Sequence, residues 1–303
     1  MARRPRTSTP AAWLAGVLVS VLAVGVIVLS AFAVFHGRDA VASDQTAQPV
    51  PTFTRGPAPT ATPTPTPTAK AAAAPGAAER FLSMGDGVMW RATAGACGGA
   101  LPLLERSTDN GATWSDVTPI YRGIGRIDRL DPLAGVQAEM VAGVGAGCPT
   151  QAMRTFTSGQ FWDFYPDVLA ASSYIDGAHP GTIVTPTGPI TAPCPTAYGL
   201  RGSASSTLAI ICNGHAYTLS SSKAWTDLGL SNAVAAAVSD DEIIVAHTAT
   251  DCAGVKVSAV RVGTSAPTSV GCLAGASPSA PLALAADGAN TIAWTGASVV
   301  VVK

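Results

Sequence analysis

The segment that most constrains the fold is residues 107–114, with the sequence Ser-Thr-Asp-Asn-Gly-Ala-Thr-Trp. Asn110 and Gly111 form the strongest short signal for a hairpin turn, because Gly adopts positive φ freely and Asn tolerates it. The Asp109 carboxylate can accept hydrogen bonds from backbone N–H groups of the same turn. Trp114 opens the next strand and brings a large apolar area to bury. The segment therefore predicts two antiparallel strands joined by a turn that its own side chains hold.

Two later segments look like degenerate copies of this one. Residues 155–162 keep the turn glycine and the tryptophan but carry Thr157 in place of the aspartate, and residues 218–225 keep only the spacing to the tryptophan. The intervals between the three tryptophans are 48 and 63 residues, whereas a four-stranded propeller blade takes roughly 40–50 residues. The longer interval indicates an insertion near residues 167–193. The spacing predicts an all-β propeller of five blades, or of six if the insertion supplies strands.

The rest of residues 80–303 also favours β-structure. Helical periodicity is not sustained over any long stretch, and short apolar or alternating runs recur between Gly, Pro, Ser and Asp. Runs of this kind at this spacing are typical of sandwiches, barrels and propellers. The predicted strands include Val88–Ala94, Val136–Val144, Leu208–Cys212, Ile243–His247, Val255–Val262 and Val299–Val302.

The pattern S-x-D-x-G-x-T-W resembles the Asp-box, or BNR repeat, of sialidase-type β-propellers. Its specified positions are Ser107, Asp109, Gly111, Thr113 and Trp114. In that family the box is a structural clip on the outer hairpin of a blade, away from the catalytic centre. The resemblance therefore implies a propeller architecture and a structural role for these five residues.

The same family includes glycoside hydrolases, so a catalytic site has to be considered. Sialidases hold the substrate carboxylate with three arginines and use a tyrosine nucleophile, its glutamate partner and an aspartic acid. The nearest match to the family's first arginine motif is Arg126–Asp128, which lacks the motif's proline and follows the box instead of preceding it. Arg122, Arg126 and Arg129 crowd into one short segment, where they cannot converge from different blades. We expect no catalytic residue here, and no residue spacing predicts a cofactor or metal site.

All six cysteines lie within residues 80–303, and none forms a C-x-x-C pair. An even number in an exported domain indicates disulfides, with fifteen possible connectivities. Strand order favours Cys194 with Cys212, at the start and end of neighbouring strands, and Cys252 with Cys272, which flank one hairpin. Cys97 then pairs with Cys148, at similar points of the first two blades.

The N-terminal segment predicts a membrane anchor. Residues 1–10 contain three arginines and no acid, and residues 11–35 contain no charge. About 20 apolar residues suffice to span a bilayer as a helix. The basic tail should stay in the cytoplasm, which places the C-terminal domain outside. A cleaved signal peptide is the alternative, although its apolar core is usually shorter, at ~7–15 residues.

Residues 36–79 predict a disordered linker between the anchor and residues 80–303. Eight Pro and eight Thr fall between Thr46 and Pro75. Proline removes backbone donors and fixes φ, so such a segment favours extended polyproline II conformation. At ~3.1 Å per residue it could hold the domain up to ~120 Å from the membrane.

Residues 80–303 contain 12 Lys and Arg against 16 Asp and Glu. A domain of this charge offers no basic patch, which argues against nucleic acid as a partner. We expect a single-pass membrane protein whose extracytoplasmic propeller binds an unknown glycan or protein ligand or serves in envelope assembly, without catalysis. The alternative is a sialidase-like glycoside hydrolase that acts on surface glycans.

Overall fold

The computed structural model of the chain describes residues 73–203, 207–219, 224–264, 266–287 and 290–303. The predicted anchor over residues 11–35 and most of the predicted linker lie outside these residues. Within the described ranges, no helix is long and apolar enough to cross a membrane. The predicted domain over residues 80–303 is described except for four short gaps.

Six antiparallel sheets follow one another along the chain, each built from strands that neighbour each other in sequence. The all-β propeller expected from the spacing of the tryptophans is confirmed, and it has six blades. Every strand that we listed from its apolar pattern is a strand in the structure, with bounds that differ by a few residues.

The strands of the first three blades have the following bounds. Blade 1 contains β1 (Arg80–Gly85), β2 (Val88–Thr93), β3 (Leu103–Ser107) and β4 (Ser115–Asp116). Blade 2 contains β5 (Ile124–Pro132), β6 (Ala138–Val144), β7 (Thr150–Thr155) and β8 (Trp162–Phe164). Helix α1 (Pro166–Ala171) precedes blade 3, which contains β9 (Tyr174–Ile175), β10 (Thr182–Thr185) and β11 (Gly188–Thr191).

The remaining blades complete the ring. Blade 4 contains β12 (Ala197–Gly202), β13 (Leu208–Cys212), β14 (His215–Leu219) and β15 (Trp225–Ser231). Blade 5 contains β16 (Ala233–Ser239), β17 (Glu242–His247), β18 (Val255–Arg261) and β19 (Thr268–Leu273). Blade 6 contains β20 (Leu282–Asp287), β21 (Asn290–Thr295) and β22 (Ser298–Val301). The ring closes where β20 packs against β1.

Blade 3 arises from the insertion and differs from the others. Ser173, just before β9, accepts a hydrogen bond from Arg129 near the end of β5. Gly177, just after β9, lies against the guanidinium of Arg126 near the start of β5, where a side chain at Gly177 would overlap it. The strand β9 therefore runs opposite to β5. The insertion thus contains helix α1 and the three strands β9, β10 and β11, and it supplies the sixth blade.

The core consists of apolar layers between neighbouring blades. The Trp90 ring of blade 1 meets the Trp162 ring of blade 2 edge to face, with 6.2 Å between ring centroids. Both tryptophans are fully buried. Trp114 packs with Trp294 in the layer between blades 1 and 6. Aromatic pairs of this geometry add to the stability that comes from burying their large area.

The six cysteines form three disulfides with the predicted partners. Cys97–Cys148 joins blades 1 and 2, and each cysteine lies in the loop after the second strand of its blade. Cys194–Cys212 and Cys252–Cys272 lie within or beside blades 4 and 5. All three disulfides lie at the end of the ring where β1, β5, β12, β16 and β20 begin. We call this end the mouth.

Candidate functional site in the central channel

The polar residues of the channel come from a few inner strands, most of them from β5. Its apolar residues Ile124, Ile127 and Leu130 are buried at every third position instead of every second. Two register shifts against β6, after Ile124 and after Ile127, produce this spacing. Bulges of this kind re-aim side chains locally. They leave two Arg–Asp pairs of β5 facing away from the apolar layers.

Three arginines of this region each bind a carboxylate. Arg126 contacts both oxygens of Asp128, from Nε at 2.6 Å and from Nη2 at 3.1 Å. Arg129 donates from Nε to Asp131, two residues along the same strand. Arg129 also donates from Nη1 to the Ser173 carbonyl at 3.3 Å, which ties blade 2 to blade 3. Each pair is therefore neutral, and its hydrogen-bonding groups are largely engaged.

The third pair crosses the ring from blade 4 to the start of blade 1. Arg201 of β12 donates from Nη1 to Glu79 at 3.2 Å and from Nη2 to the Arg80 carbonyl at 2.7 Å. Its guanidinium lies over the Phe81 ring, 4.5 Å from the centroid. Glu79 also accepts the backbone N–H of Gly199 at 3.2 Å. The side chain of Arg201 is thereby held by three contacts, and its partner Glu79 by a further one.

Arg201 separates two cavities in the channel. Among the described residues, it alone contributes to the walls of both. The cavity at the mouth has a volume of about 610 Å³. The cavity beyond Arg201 has a volume of about 140 Å³ and is bounded in part by Ser83, Arg129 and Asp131. A ligand that enters at the mouth therefore meets Arg201 and Glu79 as the floor.

The wall of the mouth cavity is built mainly from small and apolar residues. They come from residues 73–78, the start of β16 and residues 278–282. Polar groups are contributed by Asn232 and Thr248. A cavity with apolar walls and few polar groups is the usual form of a small-molecule or peptide site.

Residues 76–79 belong to the fold, although we assigned them to the linker. Gly76–Ala78 forms a 3-10 turn, and Glu79 donates its backbone N–H to the Gly76 carbonyl at 2.9 Å. The backbone N–H of Ala94 donates to the Glu79 carbonyl at 2.8 Å. The start of the domain therefore lies before residue 80, because this turn and Glu79 complete the channel mouth.

Burial dominates the electrostatics of the three acids. It raises the pKa of Glu79 above its usual range, against the opposing effect of Arg201. Burial likewise raises the pKa of Asp128, opposed by Arg126, and the pKa of Asp131, opposed by Arg129. Removal of one arginine would leave a buried carboxylate without its counter-charge, which is costly.

Arg80 also lines the mouth but directs its charge between two blades. Its guanidinium lies over the Trp294 ring, 4.1 Å from the centroid. Burial lowers the pKa of Arg80, with a contribution from nearby Arg91. Its Nη1 atom is buried and has no hydrogen-bond partner among the described residues. The stacking on Trp294 is therefore its main compensating contact.

The residues of the predicted box lie far from this channel floor, on the outer turn between β3 and β4. The hydroxyl of Ser107 donates to Asp109 Oδ1 at 2.7 Å and accepts the backbone N–H of Gly111 at 2.9 Å. Asp109 accepts the backbone N–H of Thr113 at 2.9 Å and its hydroxyl at 2.6 Å. The indole N–H of Trp114 donates to the Gly111 carbonyl at 3.0 Å. These hydrogen bonds link the five residues of the box to one another and fix the conformation of the turn.

The three histidines in the described part of the chain bind neighbouring side chains. His247 shares a hydrogen bond with Ser258 at 2.9 Å, and His215 contacts Asp227 at 3.2 Å. His179 contacts Asp176 at 3.0 Å. The described part of the chain holds no cluster of three or more His, Cys, Asp or Glu arranged to bind a metal ion.

Sequence reasoning did not identify Glu79 or Arg201 as site residues. They are more than 120 residues apart in the chain, and neither belongs to a motif. The sequence Arg–x–Asp occurs twice in succession over residues 126–131, and this repeat could have pointed to the charged part of the channel. It places two charge pairs on one strand, which is unusual for a strand flanked by apolar layers.

No family model and no curated protein matches the sequence. Among solved structures, YCF48 bound to a D1 peptide is 15% identical, with 73% of this chain and 76% of that chain covered and a TM-score of 0.41. The Aleuria aurantia lectin, a six-bladed propeller that recognises fucose, is 11% identical over 74% and 94% of the two chains, with a TM-score of 0.42. Puromycin hydrolase is 10% identical over 74% and 52%, also with a TM-score of 0.42. At this level of similarity, none of them carries an inference about ligand or activity.

Proposed function

We propose that this chain is a membrane-anchored, extracytoplasmic β-propeller that binds a ligand at the mouth of its channel and catalyses no reaction. The observation that carries the proposal is the closed set of ion pairs below an open cavity. The cavity of about 610 Å³ is large enough for a ligand. The groups beneath it that could act as acid, base or anion clamp are already paired with one another.

The same pairs argue against a sialidase-like site. A carboxylate clamp needs arginines whose planar donors are free for bidentate contact. Arg126 uses two donors on Asp128, Arg129 binds Asp131 and Ser173, and Arg201 binds Glu79 and two carbonyls. The resemblance to sialidase-type propellers through the Asp-box would then concern the scaffold only.

We propose that the part of the ligand that contacts the floor of the site carries no net charge. Glu79 and Arg201 neutralise each other, and the walls above them are mainly small apolar residues. A neutral glycan or an uncharged stretch of protein fits this floor, because Glu79 and Arg201 are already paired with each other and offer no free counter-charge.

The test uses variants that fill the mouth. Ala78→Trp and Ser279→Trp place a bulky ring in the cavity wall, while Ala297→Trp places the same ring on an exposed turn as a control. The purified full chain is applied to an array of neutral and acidic glycans and to a peptide display library. We expect binding of an uncharged ligand that both mouth variants abolish and the control keeps. A ligand whose binding ignores both mouth variants would contradict the proposal.

The membrane topology is tested separately. We expect the full chain to resist extraction from membranes at alkaline pH, and an external protease to remove residues 80–303 from intact cells. Replacement of Arg3, Arg4 and Arg6 by glutamate should disturb this orientation, because the basic flank stays inside. Release of the protein at alkaline pH would instead indicate a cleaved leader.

A further inference from the structure

The cavity at the mouth has an apolar wall with few hydrogen-bonding groups. Ten of its eighteen lining residues are Ala, Pro, Val or Leu. Three of these ten, Pro75, Pro278 and Pro281, have no backbone N–H to donate. Apolar surface gains from contact with apolar groups and does not compensate a polar group that has lost its water. The wall therefore favours a ligand that presents apolar groups.

Several polar groups of the wall are engaged within its own turns. The N–H of Ala78 donates to the Pro75 carbonyl at 3.1 Å, and the N–H of Ala280 donates to the Ser277 carbonyl at 3.1 Å. The hydroxyl of Ser279 lies 2.9 Å from the hydroxyl of Ser277. These groups are therefore already bonded when a ligand arrives.

Two polar side chains of the wall are free to bind a ligand. Asn232 lies between β15 and β16, and Thr248 follows β17. The backbone N–H of Thr248 donates to the Asn232 carbonyl at 3.3 Å, so the two residues are neighbours in the wall. Among the described residues, neither the carboxamide of Asn232 nor the hydroxyl of Thr248 has a hydrogen-bond partner. Each of these groups can both donate and accept a hydrogen bond.

The floor adds no further polar group of this kind. Glu79 and Arg201 bind each other. Tyr198, the aromatic residue among the described lining residues, donates from its hydroxyl to the Ala233 carbonyl at 3.3 Å. Tyr198 is 6% exposed, so its ring offers little area on which a ligand could stack.

A polypeptide matches these groups better than a sugar does. Each hydroxyl of a sugar ring that enters the cavity loses water and needs a new partner, and two side chains cannot serve all of them. One peptide group presents one N–H and one carbonyl, which complement the acceptor and the donor of a carboxamide. We propose, on the basis of the binding function proposed for the mouth, that its ligand is an uncharged, apolar segment of polypeptide with one peptide group bonded to Asn232 and Thr248.

The experiment is calorimetric titration of the purified full chain with short peptides blocked at both ends and with neutral oligosaccharides. One set of peptides consists of Ala, Val, Leu and Pro, and a second set carries a central Lys or Asp. We expect the apolar peptides to bind with a negative change in heat capacity, which marks apolar burial. The charged peptides should bind about tenfold more weakly.

Two substitutions test the polar contacts. Asn232→Asp removes the amide donor and Thr248→Val removes the hydroxyl, and we expect each to raise the dissociation constant of the apolar peptides about tenfold. Asn213→Asp is the matched control, because Asn213 and Asn232 have similar positive φ, of 50° and 56°, and Asn213 does not line the cavity. Thr250→Val, at an exposed position outside the cavity wall, is the control for Thr248.

Ala78→Trp separates this proposal from the proposed function. A neutral oligosaccharide that binds in place of the peptides and is lost in Ala78→Trp would keep the proposed function and overturn the polypeptide ligand. Absence of peptide binding would also overturn it, as would peptide affinities that ignore both Asn232→Asp and Thr248→Val. Peptide binding that persists in Ala78→Trp would contradict both proposals. Thermal melting checks that each variant folds, and Thr248→Val serves if Asn232→Asp does not.

Discussion

Thr157 Oγ1 accepts the backbone N–H of Phe161 at 2.9 Å, the distance at which Asp109 accepts the backbone N–H of Thr113 in the preceding blade. A neutral hydroxyl thus takes the position of a carboxylate. The substitution keeps the backbone bond of the turn and loses the charge.

The rest of the second turn repeats the first. Thr155 Oγ1 accepts the N–H of Gly159 at 3.0 Å, and the indole N–H of Trp162 donates to the Gly159 carbonyl at 3.1 Å. Gly159 has φ of 86° and the equivalent Gly111 has φ of 83°, a region that strongly favours glycine. The degenerate copy over residues 155–162 is therefore a structural equivalent of the first.

Loss of the first turn's carboxylate should lower stability without affecting the mouth. Asp109→Ala removes the acceptor for two groups of Thr113, and we expect the melting temperature to fall by roughly 2–4 °C. Asp241→Ala, an exposed acid in another turn, is the control. An unchanged melting temperature together with loss of ligand binding would show that Asp109 takes part in ligand binding and does not stabilise the turn.

The stabilising effect of Asp109 should disappear in acid. Hydrogen bonds from the Thr113 side chain and backbone and from Ser107 lower the pKa of Asp109 to about 2. A depressed carboxyl pKa contributes stability above the unfolded value of about 3.9, and this contribution is lost as the pH falls toward about 2. The difference in melting temperature between wild type and Asp109→Asn should shrink over this interval.

Thr157→Val provides the matched comparison, since the second turn has no charge at this position. Its destabilisation should stay constant over the same interval of pH. A parallel acid dependence of both variants would show that the carboxylate is not the cause.

Removal of the channel arginine should be strongly destabilising. Arg201→Gln leaves Glu79 without its counter-charge, and the two side chains are only 17% and 18% exposed. Breaking a buried pair in this way costs on the order of 3–5 kcal/mol. Arg261→Gln, at an exposed position, serves as the control in chemical denaturation.

The deficit of Arg201→Gln should shrink as the pH is lowered. The folded-state pKa of Glu79 is already raised by burial, so protonation favours the folded state. Stability is therefore regained as the pH falls from neutrality toward the unfolded value of about 4.3. A deficit that grows in acid would show that Glu79 is not the responsible group.

Deletion of disulfides should rank by the length of chain each one closes. The separations are 51 residues for Cys97–Cys148 and 18 and 20 for the other two. The chain-entropy model gives about 4 kcal/mol for the first and about 3 kcal/mol for each of the others. Paired serine substitutions measured by denaturant unfolding test the order, and peptide mapping of the wild type should recover the three bonded pairs.

The purified full chain should not cleave a fluorogenic sialoside. Glycoside hydrolysis needs a proton donor and a nucleophile or base in register with the substrate, and the channel acids are occupied by Arg126, Arg129 and Arg201. Saturable turnover that a single Arg→Ala change abolishes would show that the chain is a sialidase-like hydrolase and not a binding module without catalysis.

The sequence was sufficient for the parts of the fold that local rules determine. The turn over residues 107–114 and the disulfide pairs follow from hairpin chemistry and strand order. Blade 3 was uncertain because its strands are short, with only four residues in β10 and in β11, too few for a periodic pattern. The channel floor was missed because Glu79 and Arg201 meet only after the ring has closed.

The three disulfides all lie at the mouth, while the two hydrogen-bonded turns hold the opposite end. The two ends of the ring therefore respond to different treatments. A reductant opens the three disulfides at the mouth end and leaves the turns intact, whereas acid weakens the Asp109 turn and leaves the disulfides intact. Under our proposal that the domain is extracytoplasmic, the three covalent bonds of the mouth end would form only after the domain has left a reducing compartment.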